Sequence, residues 1–251
     1  MNHGGFRARL SVTWSPDGRY LASGSFDRTV HVWDTATGLK HWSGTAHTNT
    51  VSSVAWHPLG QLLASSSDDS TIRFWQASDG TPLQILTGHQ GDVMEIAWSP
   101  DGQRLLSGGG GRGKGGELFL WEMRSGTYLH TFPGHMSPVV TVAWHPQGTT
   151  VVGGDASGLI RWWDVASGRC LYVRQGDLRV VLALRVSPDG STVASCGTDG
   201  MIRLWAMHDA QHIRTLHSKR PYEGLNITGT IGLTEAQMAT LLTLGAVENT
   251  R

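Results

Sequence analysis

Residues Val51–Trp75, VSSVAWHPLGQLLASSSDDSTIRFW, contain three short apolar runs separated by two turn-forming segments. The runs include Val54, Leu63 and Phe74, and the segments between them are rich in Pro, Gly, Asp and Ser. Apolar runs of about four to eight residues with such boundaries are typical of β-strands. Strands this short bury little apolar surface alone, so the sequence predicts that they pack against further strands.

The same pattern recurs along the chain. The tryptophan that ends the third run recurs at spacings of 42, 46, 42 and 42, as Trp33, Trp75, Trp121, Trp163 and Trp205. A second series ends the first run, at spacings of 42, 42, 46 and 42, as Trp14, Trp56, Trp98, Trp144 and Val186. A period of about 40 to 45 residues with four strands per unit is typical of propeller blades. Both series therefore predict five blades, with four residues inserted between Trp98 and Trp121.

The repeats resemble the WD-repeat β-propeller family. The motifs that carry the resemblance are Trp33-Asp34, Trp163-Asp164, Gly88-His89, Gly134-His135 and the turns Ser15–Gly18, Ser99–Gly102 and Ser187–Gly190. The resemblance implies an all-β fold, a β-propeller of five WD-type four-stranded blades, within residues 1–218. The blades are predicted at about 9–45, 51–87, 93–132, 139–174 and 180–216.

Five blades leave the closure of the ring open to three interpretations. Propellers have about four to eight blades, and the resemblance implies closure at about seven. The chain is then an open arc of a larger ring, a tight five-bladed ring, or one part of a ring completed by another chain. An open arc exposes apolar strand faces at both ends, which predicts self-association.

Residues 219–251 depart from the repeat and are predicted to form a C-terminal extension. Thr234 and Gln237 fit a capping box, and Gly245 fits a helix stop, so a helix is predicted at about 235–244. Residues 220–248 are similar to the C-termini of bacterial multidomain WD-repeat proteins that carry signalling domains upstream. This resemblance implies a bacterial signalling protein.

Composition narrows the classes of partner. The chain has 251 residues, 20 basic and 20 acidic side chains, and a pI near 7.2. A balanced charge gives no support for nucleic-acid or membrane binding, so neither is predicted. Cys170 and Cys196 are interpreted as small buried residues in a reducing compartment. With no long apolar stretch and no signal-peptide pattern at the start, the sequence predicts a cytoplasmic protein.

The resemblance also implies a hydrogen-bonded tetrad of His, Ser or Thr, Asp and Trp in each blade. Blade two matches all four positions with His47, Ser65, Asp69 and Trp75. The other blades depart from the pattern. In blade one His3 is out of register, and blade three loses the Asp to the insertion. In blade four Gly153 and Ser157 stand at the Ser and Asp positions, and in blade five Asp177 replaces the His. An unmade buried hydrogen bond costs about 1–3 kcal/mol, so blades three, four and five are predicted to be weaker than blade two.

Three sequence patterns resemble catalytic or ligand-binding sites. Gly108–Gly115 resembles a phosphate-binding loop, but it lacks the following Ser or Thr and precedes a strand, so it is predicted to be a flexible inter-strand loop. His208 and His212 lie in a predicted loop, whereas a zinc pair at that spacing needs a helix. The His-Ser-Asp set recurs between blades, which favours a structural role over a nucleophilic triad. No catalytic residue, cofactor or metal is therefore predicted.

The resemblance places partner-facing residues on one rim, just after each Gly-His position and just before each turn Asp. These residues are Phe26, Thr48, Thr50, Asp68, Gln90, Asp92, Met136, Pro138, Ala156, Leu178, Val180 and Thr198. Several are apolar where exposed polar residues are expected, which favours a contact surface.

The predicted function is therefore a non-enzymatic protein–protein interaction scaffold, or the sensing module of a signalling protein. One alternative is a regulatory module acting in cis on an upstream nucleotide-dependent signalling domain. The other is an enzyme with its active site in the channel. The predicted channel-lining strands contain one carboxylate, Glu95, which disfavours that alternative.

Overall fold

The computed structural model describes residues 11–111, 113, 115–177, 179–217, 224–230 and 232–248. Within them, twenty β-strands form five four-stranded antiparallel sheets in which consecutive strands are neighbours. The strands of blades one and two are β1 (Val12–Trp14), β2 (Tyr20–Gly24), β3 (Val30–Asp34), β4 (Lys40–Gly44), β5 (Val51–Trp56), β6 (Leu62–Ser67), β7 (Thr71–Gln76) and β8 (Pro82–Thr87). Blades three to five contain β9 (Asp92–Trp98), β10 (Arg104–Gly111), β11 (Gly115–Glu122), β12 (Thr127–Thr131), β13 (Val139–Trp144), β14 (Thr150–Asp155), β15 (Leu159–Asp164), β16 (Cys170–Gln175), β17 (Val181–Val186), β18 (Thr192–Gly197), β19 (Ile202–Ala206) and β20 (His212–Leu216). The predicted all-β architecture of five four-stranded blades is confirmed.

The Ser-Pro-Asp-Gly turns link the first two strands of a blade through local hydrogen bonds. In blade three, the Asp101 carboxylate accepts the Ser99 hydroxyl at 2.5 Å and the Gln103 amide at 3.0 Å. Gly102 takes a φ of +69°, a conformation that glycine adopts without a steric penalty. These hydrogen bonds fix the register of the two strands that the turn joins, β9 and β10.

The hydrophobic core lies between adjacent blades. We call the side of a blade that packs on the preceding blade its front face, and the side that packs on the following blade its back face. Ile72 and Phe74 on the back face of blade two pack with Ile96 and Trp98 on the front face of blade three. The Trp98 indole also donates to the Ala55 carbonyl and the Trp144 indole to the Ala97 carbonyl, each at 3.0 Å, so blades three and four are held on the preceding blade by both packing and an indole hydrogen bond.

A second contact repeats at every interface. A side-chain oxygen in, or directly before, the first strand of one blade accepts a backbone N–H from the first strand of the next, and we call this contact the inter-blade bond. The four acceptor–donor pairs are Ser11–Val54 (3.1 Å), Ser53–Ile96 (3.5 Å), Glu95–Val142 (2.8 Å) and Thr141–Leu184 (3.0 Å). The acceptors differ in chemistry, but each satisfies a donor that its own sheet leaves unpaired.

Replacing Glu95 by alanine is expected to lower the free energy of unfolding by about 1 kcal/mol, because the Val142 N–H is buried and loses its acceptor. Glu95 also lies 3.6 Å from the exposed Arg185 guanidinium, a pair that contributes little by itself. Glu95→Gln keeps an acceptor without the charge and should stay close to wild type. Urea denaturation of the three proteins measures the difference, and equal losses in both variants would contradict the acceptor role.

The arc of blades is open. Val12 and Trp14, on the front face of blade one, are 58% and 61% exposed, whereas the matching residues of blades two to four are at most 9% exposed. The interpretation as a tight five-bladed ring is therefore wrong, and that of an open arc is confirmed. A closed ring would seat the last blade on the front face of blade one, and the exposure of Val12 and Trp14 shows that this face is uncovered.

The insertion in blade three is not the flexible loop that the sequence predicts. It adds two residues to each arm of a hairpin, and Gly110 pairs with Gly116 and Gly111 with Gly115. A Cβ on Gly109 would lie 2.2 Å from the Asp92 carbonyl oxygen, so the close approach of β9 requires glycine there. Arg112 and Lys114 lie outside the described residues.

Residues 215–251 form a second compact unit. It contains the helix α1 (Glu235–Thr243), whose N-cap Thr234 accepts the Gln237 amide at 3.3 Å while the Gln237 side chain accepts the Thr234 amide at 2.9 Å. This reciprocal pair is the capping box that the sequence predicts. No helix among the described residues has both the length and the apolarity needed to span a membrane.

Candidate functional site: the rim and its supporting polar clusters

Blade two contains a closed polar cluster beneath one rim. His47 precedes β5, Ser65 lies in β6, Asp69 lies in the β6–β7 turn and Trp75 lies in β7. The His47 imidazole contacts Asp69 Oδ2 through Nδ1 at 2.9 Å and the Ser65 hydroxyl through Nε2 at 2.8 Å. The Trp75 indole donates to the same hydroxyl at 2.8 Å. The structure thus brings the four residues of the predicted tetrad together.

The electrostatics of this cluster keep Asp69 ionised. Burial alone would raise the pKa of Asp69, but hydrogen bonds from Thr71, the Thr48 amide and His47 lower it to about 2. Burial lowers the pKa of His47, and the hydrogen bond to Asp69 opposes that change. The cluster therefore favours a neutral imidazole that donates to a carboxylate.

Blade three closes the same cluster with a different carboxylate. His89 contacts Glu117 through Nδ1 at 2.9 Å and Ser107 through Nε2 at 2.7 Å, and the Trp121 indole donates to Ser107 at 2.8 Å. Glu117 also accepts the Gln90 amide at 3.0 Å. The sequence correctly shows that the turn Asp is absent, but the expectation of an incomplete cluster is wrong, because Glu117 on the lengthened β11 replaces it.

Blade four has the carboxylate but lacks the hydroxyl. Asp155, the last residue of β14, contacts His135 Nδ1 at 2.6 Å, and both side chains are fully buried. The expectation that Ser157 occupies the carboxylate position is therefore wrong; its hydroxyl donates to Asp155 at 2.6 Å. Gly153 replaces the bridging serine, and among the described residues His135 Nε2 and Trp163 Nε1 are buried without a hydrogen-bond partner.

Blade five uses a carboxylate where the other clusters have an imidazole. Asp177 is buried and accepts the backbone amides of Arg179 at 2.7 Å and Asp199 at 3.2 Å. Burial alone would raise the pKa of Asp177, but these backbone hydrogen bonds lower it. Arg203 closes the cluster by donating to Asp199 at 2.6 Å and to the Gly176 carbonyl at 3.0 Å. Blade five thus has its own satisfied network, contrary to the expectation of a weakened one.

Blade one retains the hydroxyl–indole pair. The Trp33 indole donates to the Ser23 hydroxyl at 3.3 Å, and the Asp27 carboxylate accepts the Thr29 amide at 3.0 Å. His31 contacts Thr29 at 2.8 Å and Ser43 at 2.9 Å. The predicted His3 lies outside the described residues.

These clusters support the fold and do not present a nucleophile. Ser65 and Ser107 are fully buried, and each hydroxyl already contacts an imidazole and an indole. Attack on a substrate needs an exposed hydroxyl beside an oxyanion site. Within the described part of the chain, no group of three or more His, Cys, Asp or Glu side chains could hold a metal ion.

The predicted partner-facing residues lie on the rim directly above the clusters. The inter-blade loops and the turns between second and third strands share this rim, because antiparallel strands place alternate connections on one edge. The exposed residues are Phe26, Thr48, Gln90, Asp92, Met136 and Thr198, and the half-buried ones are Thr50, Asp68, Pro138 and Ala156.

One of the predicted rim residues that the structure describes does not join this surface. Val180 is only 4% exposed, so its prediction as a partner contact is wrong. Its amide donates to the buried Asp177 carboxylate at 3.1 Å, and this turn holds Val180 against blade five. Leu178 lies outside the described residues.

Comparison with known proteins identifies the family. The model of the WD domain, G-beta repeat, matches residues 3–34, 40–76, 80–122, 126–164 and 168–206. The chain therefore belongs to the WD-repeat family, whose members act as protein-interaction scaffolds. From the second match onward, each matched repeat spans the last strand of one blade and the first three strands of the next.

Individual relatives are similar over short segments. The chain is 48% identical over 46 residues, 18% of its length, to the U3 snoRNP-associated protein-like YAO of Arabidopsis thaliana, and 59% identical over 34 residues, 14% of its length, to protein Mut11 of Chlamydomonas reinhardtii. It is 68% identical over 28 residues, 11% of its length, to the probable cytosolic iron-sulfur protein assembly protein 1 of Cryptococcus neoformans. The chain covers 9%, 9% and 6% of these relatives, respectively.

Proposed function

We propose that the chain is a non-enzymatic interaction module that binds a protein partner through the rim formed by Phe26, Thr48, Gln90, Met136 and their neighbours. The observation that carries the proposal is the placement of Met136, which is 86% exposed and directly follows the buried His135. The backbone next to Met136 is held by the buried His135–Asp155 pair, so a large apolar side chain is presented to solvent from a rigid site and is suited to act as a binding anchor.

The polar clusters hold the rim backbone directly. Asp69 accepts the amide of Thr48 at 2.9 Å, and Glu117 accepts the amide of Gln90 at 3.0 Å. The residue after each of these histidines is thus anchored by the carboxylate that pairs with the imidazole. This arrangement supports a preformed binding surface and favours a protein ligand, since the chain has no net charge to attract nucleic acid or a membrane.

A pull-down with purified bait tests the rim. The double variant Phe26→Asp, Met136→Asp is expected to lose the bound proteins that the wild type recovers, because it places two charges in the apolar contact area. The matched control is Leu59→Asp, which changes a residue that is 73% exposed on the opposite rim. Quantitative mass spectrometry of the eluates measures the recovery. If the double variant and the control recover the same proteins as the wild type, this rim is not the binding surface.

The proposal includes a role of this interaction module in signalling. It is supported by the resemblance of residues 220–248 to the C-termini of bacterial signalling proteins. Cys170 is exposed and Cys196 half-buried, so the prediction that both are buried is wrong, but both are free thiols, which fits a reducing, cytoplasmic setting. The three relatives named above are eukaryotic, and two of their names refer to a U3 snoRNP and to iron-sulfur protein assembly, so the proposal of a bacterial origin and of action in cis on a signalling domain is based on that resemblance. Sequencing the genomic region upstream of the codon for Met1 tests both the bacterial origin and the action in cis.

A further inference from the structure

A cavity of 390 Å³ lies between blades one and two, on the rim opposite the proposed partner-binding rim. Blade one lines it with Asp17 and Tyr20, and blade two with Trp56 and Gly60. Among the described residues, a Cβ on Gly60 would have the Pro16 ring alone within 4 Å. The volume is near the lower end of the range for ligand pockets, about 300–1,000 Å³, so the cavity suits a group the size of one side chain.

At two other interfaces between consecutive blades, a histidine of the chain itself occupies the matching space. The His57 ring lies over Gly102 between blades two and three, where a Cβ on the glycine would be 2.4 Å from the imidazole Nε2. His145 lies over Gly190 between blades four and five in the same way, also at 2.4 Å. The residue of blade one that matches these histidines is Ser15, which is too small to fill the space.

Between blades three and four, an arginine occupies this space. The guanidinium carbon of Arg104 lies 5.5 Å from the centre of the Trp144 ring, and its Nη2 lies 3.7 Å from the Asp101 carboxylate. Stacking on an indole and pairing with a carboxylate are the two interactions that a planar guanidinium combines. This interface therefore shows which chemical group the space between two blades accommodates.

The interface between blades one and two retains the carboxylate and the indole but not the arginine. Asp17 and Trp56 stand at the positions of the two groups that contact Arg104, whereas Tyr20 stands at the position of the arginine itself. The Tyr20 ring stacks on His41, with ring centroids 4.9 Å apart. A carboxylate and an indole therefore line the same cavity without the cation that joins them in blade three.

The Asp17 carboxylate is able to accept a further donor. Its Oδ1 accepts the Ser15 hydroxyl at 2.5 Å and the Arg19 amide at 3.0 Å, which leaves Oδ2 for a ligand. These hydrogen bonds lower the pKa of Asp17, so the group is ionised at neutral pH. The guanidinium of the neighbouring Arg19 lies 3.6 Å from Asp34.

We propose that this cavity binds the side chain of an arginine presented by a protein partner, with the guanidinium stacked on Trp56 and paired with Asp17. The bound group takes the place that Arg104 has between blades three and four. Gln61 and Gln76 also line the cavity, and their amides supply hydrogen-bonding groups for the peptide backbone beside the arginine. The site is separate from the proposed partner-binding rim, so it adds a second contact to the proposed function.

NMR titration of the full chain with a capped peptide, acetyl-Gly-Ala-Arg-Ala-Gly-amide, tests the proposal. The indole N–H signal of Trp56, assigned by its loss in Trp56→Phe, is expected to shift saturably. Replacing the arginine of the peptide by citrulline keeps the shape and removes the charge, and replacing it by lysine keeps the charge and removes the planar group. Both peptides are expected to bind at least about tenfold more weakly.

Three variants separate this cavity from other sites. Asp17→Asn should weaken binding of the arginine peptide about tenfold, whereas its matched control Asp101→Asn should leave binding unchanged. Tyr20→Arg supplies an internal guanidinium as blade three does and should abolish binding. The rim variant Phe26→Asp, Met136→Asp should bind the peptide like the wild type, so this test does not depend on the proposed rim. A cooperative thermal transition shows that each variant is folded.

Three results would overturn the proposal. The first is a Trp56 signal that does not shift up to the solubility limit of the arginine peptide. The second is equal binding of the citrulline peptide, or unchanged binding to folded Tyr20→Arg. The third is binding of methylguanidinium as tight as that of the arginine peptide, because the site would then recognise a free guanidinium compound and not the side chain of a partner.

Discussion

Asp69→Ala is expected to lower the free energy of unfolding by about 3 kcal/mol, because it leaves more than one buried donor without an acceptor. Asp69 accepts the His47 imidazole at 2.9 Å, the Thr48 amide at 2.9 Å and the Thr71 hydroxyl at 2.6 Å. Its side chain is 6% exposed, so water does not replace it readily. Urea denaturation followed by tryptophan fluorescence measures the change.

Asp101→Ala is the matched control. Asp101 also accepts hydrogen bonds within a turn, but its side chain is 46% exposed and solvent can satisfy the released groups. We expect a loss below about 1 kcal/mol for this variant. Equal shifts in the unfolding midpoint for the two alanine variants would show that the blade-two cluster contributes no special stability.

The pH dependence of unfolding checks the same residue in another way. The pKa of Asp69 is about 2 in the folded protein, below its usual value of 3.8, so the unfolded chain binds a proton first as the pH falls. The stability that Asp69 contributes is thus present above about pH 4 and is lost between about pH 4 and 2. The pKa of His47 is also lowered, which adds a loss of stability below its usual value of 6.5. Asp69→Ala should flatten the acid limb of the wild-type curve.

Gly153→Ser is expected to be about 2 kcal/mol more stable than Gly153→Ala, since the hydroxyl supplies the partner that blade four lacks. His135 Nε2 and Trp163 Nε1 are both buried and unpaired among the described residues. A Cβ at position 153 would lie 3.3 Å from His135 Nε2, so a serine hydroxyl falls within reach of the imidazole. In blades two and three the matching serine contacts both groups at 2.7–2.8 Å.

The comparison with alanine isolates the hydroxyl. Both variants add the same Cβ, which crowds the Trp163 ring at 3.3 Å, so the steric cost cancels in their difference. Thermal and urea unfolding of the two proteins gives that difference directly. If the serine variant is no more stable than the alanine variant, the bridging hydroxyl is not what stabilises the other blades.

The sequence predicts most of the fold because each blade repeats the same information. The two tryptophan series place all five sheets, since a strand with a fixed period of two must present its apolar side to the neighbouring blade. Thr234 and Gln237 likewise mark the start of α1, because their reciprocal hydrogen bonds are local. Whether the arc closes depends on the angle between blades, which the sequence of a single repeat does not specify. The exposure of Trp14 in the structure shows that the arc is open.

The polar clusters are harder to predict because the sequence position of the carboxylate relative to the tryptophan differs between blades. Asp69 precedes Trp75 by six residues, Glu117 precedes Trp121 by four, and Asp155 precedes Trp163 by eight. A search six residues before the tryptophan finds Asp69 but misses Glu117 and Asp155, whereas a search at every even spacing would have found all three. Val180 was misplaced for a different reason, since the turn formed by Asp177 has no counterpart in the histidine-containing blades.

The lengthened β10–β11 hairpin of blade three shows how a WD-type blade accommodates an insertion. Strands β10 and β11 each gain two residues over β6 and β7, and Leu105 still pairs with Trp121 as Leu63 pairs with Trp75. The added residues lie beyond Glu117, which precedes Trp121 by four residues as Thr71 precedes Trp75. Because side chains alternate along a strand, the glutamate therefore stays on the side of the imidazole whatever the length of the arm. A duplicated blade can therefore acquire a longer hairpin without losing the contact between its carboxylate and its imidazole.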